Sequence, residues 1–190
     1  MNLPNKLTLS RFVLTALFLV FFYSHFPYAE TVTLAVFVLA CLTDLWDGQI
    51  ARKYKLVTDF GILMDPLADK ILICSAYIAF VEAGKIPAWA VIIIVARELA
   101  ITGLRMLAAS KQKVLAAERF GKHKTISQMV ATISVLVVAC YDQWGGWAHF
   151  VFDAWARPFT VAWIWLSVIL TAFSGGIYLW KNRRFYLDDL

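Results

Sequence analysis

The chain has 190 residues, of which 61% are hydrophobic and 16% charged, and its formal net charge is +5. A soluble domain of this length carries more charge, and apolar runs of about 20 residues are the material of membrane helices. The length fits one domain, residues 1–190, with no separate soluble one; the excess of cations suits anionic lipid headgroups, and no basic stretch interleaved with aromatics points to nucleic acid.

The N-terminus reads MNLPNKLTLSR. Lys6 followed by the apolar run from Phe12 to Tyr23 has the outline of a signal peptide. The following SHFPYAE puts Tyr28 where a cleavage site needs a small residue, which favours a retained helix. Pro4 breaks or starts a helix, so a short surface segment is expected before the first span.

The fold class expected is all-α and integral to the membrane. Six transmembrane helices are read at about 8–24, 31–52, 61–82, 88–110, 121–141 and 158–181. The distribution of Lys and Arg sets the orientation. One set of loops, with both termini, holds Lys6, Arg11, Arg52, Lys53, Lys55, Lys111, Lys113, Arg119, Lys122, Lys124, Lys181, Arg183 and Arg184. The other connections hold Lys85 and Arg157. Thirteen against two places both termini on the cytoplasmic side of the cell's inner (plasma) membrane. Lys70, Arg97 and Arg105 remain, inside spans.

Cys41, Cys74 and Cys140 sit in apolar runs without metal-ligand spacing and read as small buried hydrophobes. His25, His123 and His149 are scattered, which argues against zinc. No Gly-rich phosphate loop is present. Residues 142–157, DQWGGWAHFVFDAWAR, hold three of the eight tryptophans and read as an interfacial aromatic belt.

Residues 44–69 read DLWDGQIARKYKLVTDFGILMDPLAD. Asp44 and Asp47 are i,i+3, and Asp65 and Asp69 are i,i+4, so each pair shares a helix face. The second and third spans form a hairpin whose loop, KYKLVTDF, brings the pairs together. Four carboxylates ending apolar runs are costly unless they pair, face water or bind cations. Two divalent ions would balance them, and hard oxygen ligands suit Mg²⁺ or Mn²⁺. Asp59 reads as a solvated loop acid.

Arg97 and Arg105 are eight residues apart in the fourth span, near one face. Arg97 either meets a ligand or forms a structural pair with Glu98 or a cluster acid; Arg105 either joins it or snorkels. Lys122 and Lys124 flank His123 in GKHKT, as membrane anchors or as part of the same site. Converging at the end that carries the acids, these four cations would together make an anion pocket, which points to an acceptor that itself bears phosphate.

The pattern Asp44-x2-Asp47-Gly48-x2-Ala51-Arg52-x8-Gly61-x3-Asp65-x3-Asp69 fixes eight residues across 26 positions. It resembles the signature of the CDP-alcohol phosphatidyltransferase family. NLPNKLTLSR, ARELAITGLR, GKHKT and the ending SGGIYLWKNRR are similar to that family's glycerol-phosphate-using branch, the bacterial phosphatidylglycerophosphate synthases. The resemblance implies transfer of a phosphatidyl group from CDP-diacylglycerol to glycerol 3-phosphate, with release of CMP. It also implies residue roles. Asp44, Asp47 and Asp65 would ligate two divalent ions, with Asp47 bridging, and Asp69 would touch the second ion and act as general base. Asn5, Thr8, Asp44, Gly48, Arg52 and Thr58 would contact CDP-diacylglycerol, and Arg97, Arg105, Lys122 and Lys124 the acceptor phosphate. Homodimers are common in the family, so a homodimer is a further expectation.

Plainer readings stand beside several of these. Asn5 and Thr8 also fit capping of the first helix. Gly48 and Ala51 fit close helix packing as well as close approach of a nucleotide. Lys70 either tunes Asp69 or pairs with it. No Ser, Cys or His with a partnered base offers a covalent route, so direct transfer is expected. The rival functions are the same chemistry on inositol phosphate, serine or phosphatidylglycerol, and a cation-coupled transporter. Transporter sites lie near the bilayer midplane, whereas these acids lie at helix ends.

Overall fold

The computed structural model describes residues 3–54, 59–110, 119–183 and 186. Among them the regular structure is entirely helical: α1 (Leu3–Phe22), α2 (Ala29–Tyr54), α3 (Asp59–Glu82), α4 (Ala88–Ser110), α5 (Arg119–Cys140), a 3₁₀ turn (Tyr141–Trp144), α6 (Gly146–Phe152) and α7 (Ala156–Lys181). Each expected span coincides with one of the six long helices. Each of these has 20 to 26 residues, or 30 Å and more at 1.5 Å per residue.

The helix ends follow local chemistry. Pro4 lies in the first turn of α1, where its missing N–H costs nothing, so residues 3–7 belong to α1 and are not a separate surface segment. Gly84, at φ 67°, ends α3. Its N–H donates to the Val81 carbonyl, and the Lys85 N–H reaches back to Phe80 at 2.9 Å, the paired bonds of a left-handed glycine cap. Pro87 then precedes α4. Asp59 opens α3 instead of lying in a loop. Residues 55–58 of the expected acid-pair loop lie outside the described residues.

Short connections make successive long helices antiparallel. Helix α1 packs on α2 and α3, α5 on α7, α2 and α3, and α4 on α7 and α3. The core between them is built from Phe18, Phe37, Leu72, Tyr77, Phe80, Ile94 and Leu136. Buried hydroxyls are satisfied within their own helices: Thr15, Thr33, Thr132 and Thr171 each donate to the carbonyl four residues back. Others bond between helices, Tyr77 to Ser167 at 2.9 Å and Gln128 to Thr171 at 3.1 Å. The outside is apolar, with Val13, Val20, Ile92, Leu99, Ile169 and Phe173 all exposed. Such a surface is consistent with an all-helical membrane protein. Among the described residues, His123–Trp144 and Ala156–Lys181 are long and apolar enough to cross a bilayer.

The aromatic segment after α5 is folded. Gly145, at φ 86°, turns the chain between the 3₁₀ turn and α6, and Trp144 stacks on Trp147 with centroids 6.1 Å apart. Trp144 Nε1 donates to Thr31 Oγ1 at 3.0 Å, tying this turn to the start of α2.

Candidate active site

The alternating helices bring six segments to one end of the bundle. These are the start of α1, the end of α2, the start of α3, the second half of α4, the start of α5 and the end of α7. The helix positions of the described residues expected at the site fall there. Asp44 and Asp47 lie one turn apart near the end of α2, with Gly48 and Arg52 following. Asp65 and Asp69 lie one turn apart in the first half of α3. Asn5 and Thr8 lie in the first turns of α1.

The side chains of Asn5, Arg52, Asp47, Asp65, Asp69 and Lys122 lie outside the described residues, as does Thr58 altogether. Thr8 is buried, and Asp44 keeps 35% of its side chain exposed. One carboxylate oxygen of Asp44 meets the Arg11 guanidinium at 2.8 Å, and the Arg11 side chain is only 1% exposed. A buried arginine joined to an acid is expensive to strand, so this pair fixes α1 against α2 at the acid cluster. Sequence reading had counted Arg11 only as a cytoplasmic charge. Its position three residues inside the expected span was the available signal, the same one that singled out Arg97 and Arg105.

The four aspartates that the sequence offers as ligands, Asp44, Asp47, Asp65 and Asp69, are all carboxylates, a ligand chemistry that suits a hard divalent cation better than zinc. Among the described residues no group of three or more His, Cys, Asp or Glu side chains gathers as a metal site, and of the four aspartates the side chain of Asp44 is the one described.

The cations form a second layer around Glu98, which is buried in α4. Lys124 of α5, also buried, forms an ion pair with Glu98 Oε1. Arg97 Nη1 lies 3.3 Å from the same oxygen, and its Nη2 donates to Ser174 Oγ of α7 at 3.3 Å. The Arg97 Nε is buried with no hydrogen-bond partner among the described residues. Lys70 of α3 donates to Thr102 Oγ1, whose own hydroxyl bonds the Glu98 carbonyl at 2.7 Å. Arg105 Nε donates to the Tyr178 hydroxyl at 3.3 Å, with the guanidinium carbon 5.5 Å from the ring centre. The structure therefore brings Arg97 and Lys124 together on one carboxylate and holds Arg105 a short way along α4 on α7. Two cations on one acid leave an excess positive charge, and Lys70, Glu98, Lys124, Thr125 and Gln128 line a small cleft between α3, α4 and α5.

A larger cavity of about 680 Å³ lies at the opposite end of the bundle, among Phe22, Glu30, Lys85, Leu136 and Arg157, away from every residue of the acid cluster.

Fold and site together define an all-helical, largely apolar protein that carries Asp44, Glu98, Arg97 and the buried cations Arg11 and Lys124 toward one end. The chain belongs to the CDP-alcohol phosphatidyltransferase family, whose model matches residues 1–173. It is 37% identical to the CDP-diacylglycerol–glycerol-3-phosphate 3-phosphatidyltransferase of Bacillus subtilis, over 95% of each chain. It is 39% identical to the protein of the same name from Rickettsia bellii, over 97% of each. It is also 45% identical to a probable phosphatidylglycerophosphate synthase of Mycobacterium tuberculosis, over 68% of this chain and 63% of the relative.

Proposed function

We propose that this chain transfers the phosphatidyl group of CDP-diacylglycerol to glycerol 3-phosphate, giving phosphatidylglycerophosphate and CMP. The observation that carries the acceptor is the gathering of Arg97, Lys124 and Arg105 at the end of the bundle that bears the acids. Such excess positive charge suits an alcohol that carries its own phosphate. Full-length relatives bearing that enzyme's name support the reading.

The acyl chains stay in the bilayer while the nucleotide headgroup enters between α1, α2 and α3. Asn5, Thr8, Gly48, Arg52 and Thr58 hold the cytidine and diphosphate, Gly48 by leaving the helix backbone open to close approach. Arg97, Arg105, Lys122 and Lys124 hold the acceptor phosphate and so orient its hydroxyl. Asp69 takes the hydroxyl proton as the oxygen attacks the phosphatidyl phosphorus. The bond from that phosphorus to the bridging oxygen breaks in line, and CMP leaves with the electron pair. Asp44, Asp47, Asp65 and Asp69 would hold two divalent cations, Mg²⁺ or Mn²⁺, which supply charge neutralisation at the diphosphate. No protein nucleophile is needed.

All six long helices cross the membrane in this reading, with both termini and the site on the cytoplasmic face of the inner membrane, and the protein works as a homodimer. The test is the fate of labelled glycerol 3-phosphate incubated with purified protein, CDP-diacylglycerol and Mg²⁺. Label recovered in the organic-soluble lipid supports the assignment. Label that stays in the aqueous phase while CMP is released overturns the acceptor.

A further inference from the structure

The C-terminal helix has no part in the acid signature, yet it touches both arginines of α4. Ser174, Gly175 and Tyr178 are all buried on one face of α7. Ser174 Oγ accepts from Arg97 Nη2 at 3.3 Å. Tyr178 accepts from Arg105 Nε at 3.3 Å, with its ring beneath the guanidinium. Between them, Arg97 lies directly over Gly175: a Cβ added there would stand 2.7 Å from Arg97 Cγ and 3.6 Å from its Cβ. Those atoms are at the root of the side chain, so no rotation of the far end relieves the clash, and Arg97 or α7 must move. The neighbouring Gly176 has open space at the same point.

We infer that Gly175 and Tyr178 are positioning residues that set the two α4 arginines for the acceptor's phosphate, so that α7 serves as the back wall of the acceptor site. The inference rests on the reading of Arg97 and Arg105 as acceptor ligands. Neither α7 residue touches the nucleotide-facing helices α1 and α2 through any described bond, so their effect is confined to one substrate. Gly175 works by absence, since only a residue without a side chain lets Arg97 lie flat on α7. Tyr178 works by its hydroxyl and by its ring, which hold a guanidinium in one plane.

The experiment measures kcat and separate KM values for glycerol 3-phosphate and CDP-diacylglycerol in purified full-length Gly175→Ala, Tyr178→Phe and Gly176→Ala. Arg97→Gln and Arg105→Gln are measured alongside. Gly175→Ala and Tyr178→Phe are expected to raise the glycerol 3-phosphate KM by about tenfold, the scale of one misaligned charge-assisted hydrogen bond. The CDP-diacylglycerol KM should stay at the wild-type value, and Gly176→Ala should be silent. Should Gly175→Ala fail to fold, Tyr178→Phe decides, because it removes one oxygen and keeps the ring. Equal rises in both KM values, or wild-type KM values in Gly175→Ala and Tyr178→Phe while the arginine variants are impaired, overturn the inference and leave the acceptor site standing. Wild-type glycerol 3-phosphate KM values in both arginine variants overturn the acceptor site and the inference with it.

Discussion

Arg11 and Asp44 meet at 2.8 Å, joining the first turns of α1 to the acid-bearing end of α2. The arginine is almost wholly buried while the acid is one-third open. A carboxylate in this position is held on one side and presented on the other, which is what a ligand of a bound ion or diphosphate requires.

Arg11→Gln is therefore expected to loosen Asp44 and the α1–α2 contact together. Transfer activity should fall at least tenfold, with a lower unfolding temperature. Arg11→Lys should recover only part, because an ammonium lacks the planar fork of a guanidinium. Activity and thermal unfolding of the two variants in detergent check this.

Glu98 is the buried acid on which Lys124 and Arg97 converge. Removing its charge leaves those cations facing one another, and breaking a buried pair in this way costs about 3–5 kcal/mol. Glu98→Gln should be strongly destabilised, and adding Lys124→Met should restore part of the loss. A double-mutant cycle measured by unfolding reads the coupling; strict additivity would mean that the pair contributes nothing.

Asp69→Asn should cut kcat by about 10²–10⁴, the usual worth of a positioned general base, while leaving CDP-diacylglycerol binding largely intact. A binding measurement beside the rate separates the two effects. Near wild-type turnover would remove Asp69 as the base.

Tyr77 and Ser167 share a hydrogen bond across the α3–α7 interior at 2.9 Å, and Ser167 also donates to the Ile164 carbonyl at 2.8 Å. Because Ser167 stays satisfied, Tyr77→Phe should cost only about 1 kcal/mol or less, in line with interhelical bonds in membranes. Unfolding of the variant, with unchanged transfer kinetics, is the check.

The long helices, and which of them carry the aspartates, are legible in the chain because both rest on local rules. Apolar length sets the helices, and i,i+3 and i,i+4 spacing sets the shared faces. The partners of the charged residues were not legible. Arg97 was left between a ligand and a pair with Glu98, and the structure places it on Glu98 and Ser174 together. Counting charge by loop puts Arg11 with the cytoplasmic cations although it lies inside the first expected span, and its partner Asp44 stands on another helix, out of reach of a local rule. The SGG sequence was only a resemblance, since the clearance at Gly175 exists only once α4 lies against α7. Periodicity names a face of a helix; it does not name the helix that covers it.

The most direct test is CMP release by the purified protein from CDP-diacylglycerol, with glycerol 3-phosphate, inositol phosphate, serine or phosphatidylglycerol as acceptor, each with Mg²⁺ and with EDTA. Release with glycerol 3-phosphate alone, abolished by EDTA, is the predicted result. Release with inositol phosphate instead would contradict the choice of acceptor, release with serine instead would contradict the reading of the cation layer around Glu98, and undiminished release in EDTA would contradict the reading of the four aspartates.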